Sequence, residues 1–191
     1  MAEAAKSVAA REVAEGEERV DVVTAATRHV ALLAAMLATC GSLFFSEVLG
    51  WQPCQLCWYQ RILMYPLSVI LAVGILRNDR GVFWYGLPLS LTGMAVSLYH
   101  YLEVLQVIPP SACKGGVPCS IDYINLVGPL SFVKVPFLAL IAFTMISVML
   151  GNYAVAGAPA TPAAGLRAAR ITALVIVGAT ILLFVLLGAL S

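Results

Sequence analysis

The sequence predicts an all-α membrane protein: an antiparallel four-helix transmembrane bundle with a fifth transmembrane helix at the C-terminal end. Three observations predict it. The composition is 61% hydrophobic and only 11% charged, against roughly 45–50% and 25% in soluble domains. A chain of 191 residues lacks the volume to hide so much apolar surface in its own core, and its mean hydropathy of +0.94 leaves lipid as the solvent. Five runs, at 30–49, 58–76, 82–105, 135–156 and 171–190, reach the roughly 20 apolar residues that a bilayer requires.

Within lipid each run must be helical, because no water is there to satisfy the backbone. Short polar breaks make neighbouring helices antiparallel. The resulting organisation is a cytoplasmic polar tail over 1–29, a four-helix domain over 30–156, a linker rich in Ala and Pro over 157–170, and the additional helix over 171–191. The tail carries six acids and does not have the basic start of a cleavable signal. Pro66, Pro88 and Pro136 fall in or at the start of runs, where membrane helices tolerate them. Gly151 and Asn152 mark a point where the fourth run can close early.

Basic residues orient the chain. Lys6, Arg11, Arg19 and Arg28 precede the first run, Arg77 and Arg80 join the second to the third, and Arg167 and Arg170 precede the fifth. With alternating helices these share one side, and Lys114 and Lys134 share the other. The excess marks the first side as cytoplasmic. A net charge of +1, with no basic cluster interleaved with aromatics, gives no sign of nucleic acid.

Four of the five cysteines sit in polar breaks on the outer side: Cys54 and Cys57 between the first two runs, Cys113 and Cys119 between the third and fourth. That is the side on which disulfides form and persist. Cys40, within the first run, reads as a small packing residue. The first break is only about eight residues long, which ties Cys54 and Cys57 to the membrane face. Cys57 abuts the second run, where unpaired N–H groups and the helix dipole favour a thiolate. Arg61 lies four residues on, along the same face. It is either a cation beside the Cys57 sulfur and a bound electron acceptor, or a side chain that snorkels to headgroups. Trp51, Trp58, Tyr59 and Tyr65 are interface anchors or, beside a redox thiol, the walls of a slot for a flat lipophilic ring. A quinone fits that description.

The long break 106–134 is the outer segment with reach. Lys114 beside Cys113 favours thiolate, and the Cys113–Cys119 spacing permits bridging without requiring it. The apolar remainder of the break is expected along the membrane surface. One pair is thus fixed near lipid and the other movable, a layout for passing electrons from a soluble protein to a membrane carrier. His100 and Glu103 share one face near the outer end of the third run; either they handle protons or they mark the water boundary. Glu47, at the outer end of the first run, has the same two readings.

The stretch Trp51-Gln52-Pro53-Cys54-Gln55-Leu56-Cys57-Trp58-Tyr59-Gln60-Arg61, with Cys113 and Cys119, Ile121-Asp122 and Val135-Pro136-Phe137 further on, resembles the DsbB family of disulfide-bond formation proteins. The loop spacing looks like that of its short-loop BdbC branch. The resemblance spans about residues 30–155. It implies a thiol:quinone oxidoreductase of the bacterial cytoplasmic (inner) membrane that re-oxidises a DsbA-like thioredoxin-fold partner. It also implies disulfides Cys54–Cys57 and Cys113–Cys119, with all four cysteines catalytic. Electrons would pass from the loop pair to Cys54–Cys57 and on to ubiquinone or menaquinone. Arg61, Trp58 and His100 are the residues expected to touch the quinone, and no metal is expected. The fifth run and the charged leader depart from the family's usual four helices.

Other readings stand beside this one. A vitamin K epoxide reductase-like protein shares the ingredients, but there the loop pair precedes the Cys-x-x-Cys motif. A structural zinc site built from the four outer cysteines, or a membrane protein whose disulfides merely brace loops, needs no acceptor at all.

Overall fold

The computed structural model describes residues 2–109, 117–121, 123–124, 132–161 and 163–190, with side chains described from 24 onward except 25 and 164. Cys113 and Lys114, and most of the apolar segment expected along the membrane surface, lie outside the described residues. Five helices follow in order: α1 Ala2–Glu47, α2 Gln55–Leu76, α3 Val82–Val104, α4 Val135–Val155 and α5 Ala163–Leu190. All five are long and apolar enough to cross a membrane; a 22-residue span such as Ala26–Glu47 reaches about 33 Å at 1.5 Å per residue. The protein is a multi-pass membrane protein with the all-α architecture the sequence predicts.

Three boundaries differ from the hydropathy reading, one of them that of α5, which begins at Ala163, inside the expected linker, rather than at 171. α1 continues back through the charged leader to Ala2, because Ala, Glu, Arg and Lys are strong helix formers whether or not the turn is apolar. α2 begins at Gln55 rather than at 58, with Cys54 as its N-cap. The cap places both sulfurs of the motif on the first turn.

Helices α1 to α4 close a ring in which α1 meets α2 and α4, and α3 meets α2 and α4; α5 lies outside, against α1 and α2. Close approach is allowed by missing side chains. A Cβ at Gly93 of α3 would overlap the Phe143 ring of α4, and one at Gly86 would lie 2.6 Å from Leu150 Cδ1. Phe143, Ile146, Leu150, Leu67 and Leu71 are fully buried at these crossings. One polar pair crosses between helices inside the bundle, Ser147 Oγ donating to Ser90 Oγ at 3.0 Å, which offsets the cost of burying both hydroxyls.

The end of the bundle away from the cysteines is tied by one buried cation. Arg28, fully buried, donates to the Asp79 carbonyl at 3.2 Å, to Asn78 Oδ1 at 3.4 Å and to Thr161 Oγ1 at 2.8 Å. Its guanidinium also lies 4.8 Å from the Tyr153 ring centre, in cation–π geometry. Asn78, at φ 52° in the α2–α3 turn, exchanges bonds with the Thr161 backbone at 3.1 and 3.0 Å. Asn tolerates the left-handed region better than other non-glycine residues. Arg80 donates to the Ala158 carbonyl, and Arg170 to the Leu76 carbonyl. The linker and the start of α5 are therefore stitched to the bundle.

Candidate active site

The site is built on the first turn of α2 and the last turns of α3. Cys54 occupies the N-cap with extended backbone, φ −71° and ψ 175°, and its sulfur accepts the Cys57 N–H at 3.4 Å. Three residues on, the turn brings Cys57 beneath it: the two Sγ atoms lie 3.2 Å apart, both as free thiols. Cys54 is buried and Cys57 half-buried. The described member of the loop pair, Cys119, is buried and disulfide-bonded.

His100 joins the two regions. Its Nε2 lies 3.0 Å from the Cys119 carbonyl oxygen and 3.6 Å from Cys54 Sγ, and its Nδ1 lies 3.2 Å from Gln60 Nε2. A carbonyl can only accept and an amide nitrogen only donate, so the partners assign the proton to Nε2 and leave Nδ1 as acceptor. The imidazole N–H therefore points at the place where Cys54 sulfur and the Cys119 backbone meet. The Cys54 thiol is pulled down from its ordinary value to about 4, first by the hydrogen bond from Cys57, with burial opposing and the His100 bond and charge adding. The N-cap assignment thus gives the stabilised thiolate to Cys54, where the sequence had pointed to Cys57.

On the other side of Cys57 lies a cavity of about 300 Å³ between α1, α2 and α4. Its walls include Leu37, Ala38, Gly41, Ser42 and Phe45 from α1, Cys57, Gln60, Arg61, Met64 and Tyr65 from α2, and Val135, Leu138, Ala139 and Phe143 from α4. Trp51, Gln52, Pro53 and Tyr123 stand over its outer end, and Phe184 of α5 completes the lining. The outer residues form a stack: Phe45 on Trp51 at 4.9 Å between ring centres, Trp51 on Tyr123 at 5.3 Å with planes only 12° apart. Tyr123 is pinned there by its hydroxyl, which donates to the Gln52 carbonyl at 2.8 Å. Arg61 is buried, donates to the Ser42 carbonyl at 2.9 Å, and presents the rest of its guanidinium beside Cys57. It does not reach out along a lipid face.

The expected residues divide around this geometry. Cys57 and Arg61 line the cavity, whereas Cys54 and His100 face Cys119. Trp58, half-exposed, is not part of the lining; its ring sits 5.4 Å from the Arg61 guanidinium carbon. Trp51 lies in the lining, stacked between Phe45 and Tyr123. Gln60, Tyr123 and Phe184 were not singled out from the sequence. For Gln60 the signal existed, three residues after Cys57 on the same helical face; for the other two nothing local carried it.

Cys54, Cys57 and His100 also offer one ligand atom each within 4.8 Å of one another, which is a soft donor set of the kind that takes zinc or copper(I). A polar, thiol-bearing wall opposite apolar and aromatic walls is instead the usual make-up of a site for a small organic molecule.

The family model described as "Disulfide bond formation protein DsbB" matches residues 24–190. "Disulfide bond formation protein C" of Bacillus subtilis (strain 168) is 45% identical over 126 residues, covering 64% of this chain and 88% of that protein. "Probable disulfide formation protein C" of Halalkalibacterium halodurans is 50% identical over 118 residues, covering 61% and 84%. No solved structure matches. The family match takes in α5 as well as the four-helix ring, and with it the chain belongs to the DsbB family of disulfide bond formation proteins, membrane-embedded protein-disulfide oxidoreductases.

Proposed function

We propose that the protein is a quinone-dependent thiol oxidase that re-oxidises a DsbA-like, thioredoxin-fold dithiol on the outer side of the bacterial cytoplasmic membrane. The observation that carries this reading is the division of the two sulfurs: Cys54 faces His100 and the Cys119 backbone, while Cys57, 3.2 Å away, faces the cavity with Arg61. A two-sided dithiol is what a relay between a soluble donor and a lipid-dissolved acceptor requires. The orientation is supported by the excess of basic residues at the end opposite the cysteines.

The exchange begins with the Cys113–Cys119 disulfide. A partner thiolate attacks Cys113 and releases Cys119 as a thiolate; the partner's second thiol then resolves the mixed disulfide and leaves the partner oxidised. Cys119 attacks Cys54 of a Cys54–Cys57 disulfide, and Cys57 departs as a thiolate. Cys113 attacks Cys119 in turn, restoring the loop disulfide and freeing Cys54. A low thiol pKa makes Cys54 the better leaving group in that step, and the His100 N–H stabilises the charge it carries. Two electrons and two protons now reside on the Cys54–Cys57 dithiol. A quinone bound in the cavity would take up both and leave as quinol. Arg61 offers a hydrogen-bond donor to a carbonyl oxygen there, Cys57 is the adjacent sulfur, and the Phe45–Trp51–Tyr123 stack supplies a flat apolar surface and excludes water.

The test is anaerobic oxidation of a reduced thioredoxin-fold dithiol protein by the purified chain in lipid, with ubiquinone or menaquinone as the oxidant. Quinone loss equal to disulfide gained supports the relay; disulfide formation without added quinone, or none with it, sinks it. A second reading, a zinc or copper(I) ion held by Cys54, Cys57 and His100, draws on the 4.8 Å cluster. Metal analysis of the purified protein separates the two, since a resident ion at one per chain would block the exchange.

A further inference from the structure

The fifth helix takes no part in the exchange above, yet it reaches the cavity. It packs on α1 and α2, with glycines on both sides of the seam. A Cβ on Gly41 of α1 would lie 3.7 Å from Phe184 Cζ, and one on Gly188 would lie 3.2 Å from Val48 Cγ2. Phe184 meets Phe44 edge-on at 6.0 Å and passes the bare Gly41 position to become the α5 residue in the cavity lining. Its neighbours Leu182 and Val185 are 58% and 61% exposed and face lipid. The register of α5 is fixed from the far end. His29 Nε2 lies 3.0 Å from the Ala169 carbonyl, Arg170 Nε donates to the Leu76 carbonyl at 2.9 Å, and Arg28 holds Thr161. A slip of one turn, about 5.4 Å, would withdraw Phe184 from the cavity altogether.

We propose that α5 is part of the acceptor site and that Phe184 is a specificity-determining wall, against which the flat ring of a lipophilic quinone packs across the α1–α2 seam. This rests on the quinone reading above. Without Phe184 the ring loses an apolar face; with a larger side chain the cavity loses the room for it. Neither change touches a sulfur, so the exchange between cysteines is left intact.

The test uses the full chain in lipid nanodiscs and a quinone without an isoprenoid tail, with dissociation constants read from quenching of intrinsic tryptophan fluorescence. Phe184→Ala is expected to weaken binding about tenfold, the equivalent of one well-buried apolar contact. Phe184→Trp is expected to weaken it as well, by filling the space. Leu182→Ala, on the lipid face, is expected to bind within about twofold of the unaltered protein. Thiol oxidation at saturating quinone should stay unchanged in Leu182→Ala, which lies outside the cavity lining. If Phe184→Ala does not fold, Phe184→Leu, which retains apolar bulk but not planarity, is read in the same assay with a smaller loss expected. Unaltered affinity in the folded Phe184 variants overturns the proposal and makes α5 a packing helix only. Absence of both quinone binding and quinone-dependent oxidation in the unaltered protein is a different result, and removes the function proposed above together with this wall.

Discussion

The protein buries an arginine at each end of its helical bundle, and the two are used in opposite ways. Arg28 is spent on protein: three acceptors from the α2–α3 turn and the α4–α5 linker, and a tyrosine face. Arg61 has a single hydrogen-bond acceptor among the described residues, the Ser42 carbonyl, and the remainder of its guanidinium faces a cavity beside Cys57. A buried cation is costly unless it is matched. Where matching comes from the fold, the residue fastens the fold. Where donors are left facing a cavity, the function proposed above has a ligand supply the match.

The same contrast runs through the surroundings. Around Arg28 the bonds connect segments 50 and 133 residues apart and leave no room. Around Arg61 most of the cavity walls are apolar or aromatic, with space for a molecule between them. The largest expected effect breaks the cavity end chemically. Cys57→Ser should abolish quinone reduction while the protein folds with an unchanged melting temperature, because a hydroxyl replaces the half-buried sulfur nearly isosterically. Cys54→Ser should do the same. Cys113→Ser should block oxidation of the thiol partner, yet quinone titrated into it should bind as before. A Cys57→Ser protein that still turns over quinone would remove the dithiol from the electron path.

Next in size is the fastening end. Arg28→Leu removes three charged hydrogen bonds and leaves Asn78 and Thr161 short of a donor. A loss of about 3 kcal/mol is expected, seen as a lower melting temperature in nanodiscs with quinone affinity unchanged. Arg61→Ala reverses the pattern: stability should hold, while the apparent KM for quinone rises about tenfold, or about 1.4 kcal/mol. The two variants together form a dissociation. Should Arg28→Leu shift the KM and Arg61→Ala shift the melting temperature, the division between fastening and binding arginine is wrong.

How much of this was readable in the sequence follows from separation along the chain. The five spans were legible because the bilayer acts on each run by itself. The dithiol was legible because positions three and four apart share a helical face, which brings Cys54, Cys57 and Arg61 into one neighbourhood without any tertiary knowledge. Arg28 reads in the sequence only as one more charge of a polar tail, since its partners stand in other segments and no period links them. Phe184 and Tyr123 were missed for the same reason: each reaches the cavity from a distant element. Leu, Ile and Val surround Phe184 in a run that is uniformly apolar, so hydropathy cannot say which ring faces lipid and which faces a pocket. The second helix starts three positions before its apolar run, because the polar Gln55 joins its first turn, and this makes Cys54 the N-cap.

The smallest expected effect sharpens that last point. The Cys54 thiol sits at about 4 chiefly because Cys57 donates to it, with His100 a lesser cause. Its pKa is lowered in the native protein relative to the ordinary thiol value near 8.5. The stabilisation is therefore complete above that ordinary value and is lost as pH falls through about 4, the unfolded chain holding the extra proton in between. Ultraviolet thiolate absorbance of the reduced protein, less that of Cys54→Ser, should titrate with a midpoint in the acid range. Cys57→Ala should move the midpoint most of the way back to an ordinary thiol, and His100→Phe should move it in the same direction by less. A larger shift from His100→Phe than from Cys57→Ala would make the imidazole, and not the neighbouring thiol, the group that holds Cys54 ready to leave.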